Sequence, residues 1–170
     1  MLFVMNTRYF LCLSAVLLPT LAAHAADLSA ADRSFVAMVS QGGMFEVKAG
    51  QVSADQGSTQ DIKDQGNTES HDHKLVGDKL KAIAAANGIR LGDSLNAEFQ
   101  KKLDGLKALS GSAFDAAYLQ DMEEIHAKDG AAFAKEAKGG TNQALRDFAA
   151  ETHRIVLRHI GELKAIGPKA

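Results

Sequence analysis

The chain has 170 residues, 46% of them hydrophobic, with a formal charge of −2, no tryptophan and one cysteine. A mildly acidic chain without a basic patch argues against a nucleic-acid partner, because phosphate binding needs clustered Lys and Arg. A lone cysteine leaves no disulfide within the chain.

In chain order, residues 1–25 read as a secretory signal peptide. Arg8 supplies the positive n-region, and "YFLCLSAVLLPTL" is an apolar run too short to span a bilayer. Ala23-His24-Ala25 supplies the small-x-small cleavage pattern. Cleavage after Ala25 would remove Cys12 and leave one domain over residues 26–170, periplasmic or secreted. That length can bury a core without disulfides. No further apolar run reaches membrane-spanning length.

Nearly everything after Ala26 reads helical. Alanine is abundant, β-branched runs are absent, and the only prolines are Pro19 and Pro168. Ser29 caps the first helix with Asp32 in its first turn. Phe35, Met38, Val39, Gly42, Phe45, Ala49 and Val52 form the apolar stripe of this helix. A second helix runs from about Thr59 to Asn87, with Gly88 just past its end. A short helix covers Leu95–Leu109. Ser112 is the expected cap of the next long helix, which carries Phe114, Tyr118, Met122, Ile125 and Phe133. After "KGGTN" the last helix shows Leu145, Phe148, Val156, Ile160 and Leu163.

Each long helix has one apolar stripe and must bury it against the others. The expectation is all-α: an antiparallel four-helix bundle with one extra short helix between the second and third long helices. An orthogonal helical array is the competing arrangement.

Several ionisable residues lie on those stripes at about 100° per residue. Glu69 and His73 share a face with Ile62, Val76 and Leu80, while His71 faces the other way. Glu46 lies between Gly42 and Ala49, His126 one turn from Met122, and His159 between Val156 and Leu163. Glu123 precedes His126 by three residues, and His153 is at a stripe margin. A rise of 1.5 Å per residue in an up-down-up-down bundle brings Glu46 and Glu69 level. It puts His73 about one turn away, Glu123, His126 and His153 in the same zone, and His159 one to two turns displaced.

Buried carboxylates and imidazoles cost several kcal/mol each unless they are paired. A joint explanation is a transition-metal site made from Glu46, Glu69, His73, Glu123, His126, His153 and His159. Imidazole with carboxylate suits zinc, iron or copper. "EEIH" supplies the Glu-x-x-His spacing of ferritin-like carboxylate bundles, but the last helix has no second copy. The alternatives are a hydrogen-bonded polar layer that sets helix register, or stripe-edge residues that reach water. No nucleophile elbow is present, so no catalytic residue and no organic cofactor are assigned.

The chain resembles the exported bacterial proteins grouped as domain of unknown function 4142. The resemblance rests on "DRSFVAMVSQGGMFEVKAG", "DHKLVGDKLKAIAAANG", "FDAAYLQDM…H" and "ALRDFAAET…RHIGEL", in that order over the mature chain. It implies a ferritin-like helical bundle and transfers no activity. The family's first-helix glutamate corresponds to Glu46, its aspartate-histidine pair to Asp72 and His73, and its later histidines to His126 and His159. This chain departs from the pattern at Gln65, Glu69, Ser70, Glu123, Ile125, His153 and Arg154. Three of those changes put Glu69, Glu123 and His153 among the histidines. Three functions follow as expectations: a metal-binding protein, a non-catalytic structural or protein-interaction module, or a ferroxidase-like oxidoreductase. The last needs two metals with bridging carboxylates.

Overall fold

The computed structural model describes residues 28–167; the expected signal peptide and its cleavage site, with Pro168, lie outside them. Five helices carry the chain: α1 (Ala30–Gln56), α2 (Gln60–Ala86), α3 (Ala97–Lys107), α4 (Gly111–Gly139) and α5 (Gln143–Ile166). Polar side chains start them. Ser29 and Asp32 form a capping box on α1, and Thr59, Asn96 and Asn142 each accept a backbone N–H of the first turn. These bonds satisfy donors that a helix start leaves unpaired. Gly88 ends α2 with a positive φ of 69°, which glycine adopts without strain. The start of α4 differs from expectation. Its cap is Ser110, not Ser112, and makes no side-chain cap bond. Gly111, at φ 59°, redirects the chain there.

The four long helices form an antiparallel bundle. α1 packs along α2 and α4, α5 packs along α2 and α4, and α3 lies across α1 and α4. α1 and α2 come very close at Gly50 and Gly66. A Cβ on Gly50 would sit 2.6 Å from the Gly66 carbonyl oxygen, and a Cβ on Gly66 would sit 2.6 Å from the Ser53 Cβ.

The order of directions is not up-down-up-down. Asp32 near the start of α1 bonds Thr141 just beyond α4, and Ser58 beyond α1 bonds Asp115 near the start of α4. α1 and α4 are therefore antiparallel neighbours. Lys79 of α2 bonds Glu151 of α5, and Asn142 bonds Asn87, so α2 and α5 are also antiparallel. It follows that α2 and α4 run the same way. Residues 87–110, with α3, carry the chain back along the bundle between them, and a single long crossover of this kind is the ferritin-like connectivity.

The buried interior divides into two apolar clusters. One holds Phe35, Val36, Val39, Val76, Leu80, Phe133, Leu145 and Phe148. The other holds Phe45, Ile62, Leu103, Leu106, Phe114, Tyr118, Met122 and Leu163. Full burial of each large apolar side chain stabilises by about 1.5–3 kcal/mol. Between the clusters lies a layer of buried polar residues. Among the described residues, no helix is long and apolar enough to cross a membrane.

Candidate metal centre

Glu69 and His73 of α2, His126 of α4 and His159 of α5 meet in the middle of the bundle. Each offers one ligand atom, and the four atoms lie within 4.8 Å of one another. All four side chains are buried, none more than 2% exposed. Their rings are 5.3–5.7 Å apart, tilted or edge-on rather than stacked.

The outer nitrogen of each ring determines what the inner one can do. His126 Nδ1 is 2.7 Å from the carbonyl oxygen of Met122. A carbonyl only accepts, so Nδ1 carries the hydrogen and Nε2 turns inward. His73 Nδ1 is 2.9 Å from Glu46 Oε2, which likewise leaves Nε2 facing the centre. His159 Nε2 is 3.0 Å from Asp72 Oδ2, which leaves Nδ1 inward. A carboxylate or carbonyl behind each imidazole is the usual way a metal-binding histidine is oriented.

The inner atoms are close but poorly matched as hydrogen bonds. Glu69 Oε1 lies 3.0 Å from His126 Nε2 and 3.1 Å from His73 Nε2. The approaches are off the bonding direction, so Glu69 Oε1, His73 Nε2 and Glu46 Oε1 are buried without a hydrogen-bond partner. His126 Nε2 and His159 Nδ1 face each other at 3.3 Å, and Glu69 Oε2 is also 3.3 Å from His159 Nδ1. In neutral rings with both outer nitrogens protonated, two lone pairs would point at each other; a proton on His126 Nε2, which its raised pKa favours, makes the contact a hydrogen bond. A tetrahedral zinc with bonds of about 2.0 Å has ligand separations of about 3.3 Å. Three of the observed spacings, 3.0, 3.1 and 3.3 Å, come near that figure, while the four atoms as a group lie within 4.8 Å of one another.

A network behind the ligands fixes Glu69. Gln65 donates from Nε2 to Glu69 Oε2 at 2.7 Å, and the Tyr118 hydroxyl donates to Gln65 Oε1. Burial alone would raise the Glu69 pKa, but the contacts with His126, His159 and His73 outweigh it and hold the carboxyl well below its ordinary range. Burial opposes charge on His73, yet Glu46 and then Glu69 raise it well above its ordinary value. His126 is raised for the same reason, by its contact with Glu69 and the charge of Glu46. Burial, helped by the Glu69 charge, pushes the Tyr118 hydroxyl well up.

Not every residue expected at the site is there. Glu46 stands behind His73, with Oε1 3.7 Å from His126 Nε2. Glu123 is exposed, beyond the buried strip of Met122, Ile125, His126 and Asp129. The Glu-x-x-His spacing therefore does not place both side chains inward. His153 is half-buried and lies outside the four-residue group. The direction of α5 explains the change. Counting along α5 from its true starting end brings His159 level with Glu46 and leaves His153 about two turns away.

Asp129 and Asp72 have larger roles than the sequence reading allowed. Asp129 is buried beside the layer, and burial followed by the Glu46 charge pushes its pKa up to about 7. Gly42 makes room for it, since a Cβ there would lie 2.5 Å from Asp129 Oδ2. The signal was present in the sequence: Asp129 follows His126 by three residues and precedes Phe133 by four, on the same stripe. Asp72, which the family resemblance pairs with His73, supports His159.

A family model described as "Domain of unknown function (DUF4142)" matches residues 17–166. No curated protein matches the chain. Among solved structures, a DUF305 fragment from Deinococcus radiodurans aligns with TM-score 0.71 and 11% identity, over 82% of this chain and 96% of that one. At that identity the likeness concerns the fold alone.

Proposed function

The chain belongs to the family described as domain of unknown function DUF4142, and we propose that this member holds a single divalent transition metal in the middle of its bundle. Glu69, His73, His126 and His159 are the ligands. One observation carries the reading. Three imidazoles from three helices each have the outer nitrogen engaged; the inner nitrogens of His126 and His73 lie 3.0 and 3.1 Å from the unpaired Glu69 Oε1, and that of His159 lies 3.3 Å from Glu69 Oε2 and from His126 Nε2. Three imidazoles and a carboxylate suit zinc, copper or iron rather than calcium or magnesium.

Four protein donors in a closed interior leave no open position for substrate, which favours holding the metal over catalysis. Glu123 and His153 are not needed in this reading, and a two-metal oxidase loses the Glu123 it required. The signal-like leader would place the centre in the periplasm or outside the cell. The competing reading is a protonated polar layer that fixes register, favoured by the His73 Nδ1–Glu46 Oε2 pair at 2.9 Å, which forms without a metal.

Titration of chelator-treated protein with zinc and with cobalt, followed by calorimetry and by cobalt visible absorption, separates the two. One equivalent bound by the wild type and none by His126→Ala is expected. A wild type that binds neither ion leaves the register layer in possession of the site.

A further inference from the structure

The four ligand side chains are at most 2% exposed, so a cation needs a way in. Among the groups that touch them, Asp72 reaches solvent, with its side chain 19% exposed, while Oδ2 stays 3.0 Å from His159 Nε2. Over Asp72 lies Arg158, which is half exposed and bonded to that same oxygen. Arg158 is also 3.4 Å from Glu162, another surface carboxylate. We propose that Asp72 is the portal of the metal centre and Arg158 the latch across it. The inference rests on the metal-binding reading above.

The latch acts through charge: the guanidinium occupies the carboxylate oxygen that an incoming cation would meet, 3.0 Å from His159 Nε2. Exposed ion pairs are weak and break readily, as a latch requires.

The test uses cobalt(II) as the probe, with stopped-flow absorbance for loading and excess EDTA for release. Arg158→Gln is expected to load and release about two- to fivefold faster than wild type, the factor that an exposed ion pair of ordinary strength supplies. The bound spectrum should be unchanged. Glu162→Gln, which only loosens the anchor, should give a smaller acceleration of the same sign. Wild-type binding with equal or slower rates in Arg158→Gln overturns the latch and leaves the metal site standing. A wild type that shows no cobalt spectrum overturns both. Circular dichroism checks that each surface variant keeps its helices.

Discussion

The bundle buries ionisable groups in two places, and they are built differently. At the end where α4 turns into α5, Asp32 is fully buried and fully bonded. Its Oδ1 accepts the Thr141 N–H at 3.0 Å, and its Oδ2 accepts the Ser29 N–H at 3.1 Å and the Thr141 hydroxyl. In the middle layer, close approaches abound but several atoms have no hydrogen-bond partner. Asp32 has both carboxylate oxygens bonded, although Glu136 Oε1 beside it has no partner. In the middle layer the unpartnered atoms are Glu46 Oε1, Glu69 Oε1 and His73 Nε2, the last two of which the proposed cation would engage.

The largest effect that could break this contrast is at Glu69. Glu69→Ala leaves the imidazoles around it without their shared carboxylate, and the metal-free protein should lose about 3–5 kcal/mol by urea unfolding. Zinc at about a thousand times its dissociation constant should stabilise the wild type by about 4 kcal/mol. That corresponds to a rise in Tm of roughly 10 °C, with none in the variant. An equal rise in both would remove Glu69 from the ligand set.

Asp32→Ala should cost less, about 2–3 kcal/mol, and the loss should be the same with or without zinc. The figure joins a lost cap to a pKa displacement. Burial pushes Asp32 up, but bonds from Thr141 and Ser29 outweigh it and bring it from 3.8 to about 2, worth about 2 kcal/mol.

The pH dependence sharpens the comparison around Asp32, at the end where α4 turns into α5. The lowered pKa of Asp32 means that its contribution is complete above about pH 4 and lost as pH falls towards 2. Glu136, beside it, is pushed the other way, from 4.5 to about 7, by burial and then by the Asp32 charge. The folded protein therefore binds more protons than the unfolded chain between those values, and stability falls as pH rises from about 4.5 to about 7. Urea midpoints of metal-free protein at pH 5 and pH 7.5 should show the decline. Glu136→Gln should reduce it, with Asp129, also raised to about 7, carrying part of the remainder; an unchanged slope would assign the decline to other groups. The smallest effects are expected at Glu123→Gln and His153→Ala. Each should leave metal affinity unchanged and stability within about 0.5 kcal/mol by the same measurements. A loss of binding at either position would return it to the site.

Local chemistry was largely legible in the sequence. Ser29 with Asp32, Thr59 and Gly88 mark helix ends through bonds to residues within a few positions of themselves, and the observed ends agree to within a residue or two. The 3.6-residue period alone put Glu46, Glu69, His73 and His159 on buried stripes and His126 at a stripe edge, and all five are buried. Asp129 satisfies the same test. Glu123 fails it by about 100° from Met122, and only its motif-like spacing from His126 points to the site.

Level along the bundle belongs to tertiary structure. A stripe records which side of a helix faces inward but carries no information about the direction of that helix relative to the others. Direction follows from the path of residues 87–110, which run back along the bundle and make α4 parallel to α2. Reversing α5 exchanges the heights of His159 and His153, six residues apart, and so decides which imidazole joins the centre. Tertiary structure also decided which nitrogen of each ring faces inward, because the partners that hold the outer nitrogens of His73 and His159, Glu46 and Asp72, come from other helices.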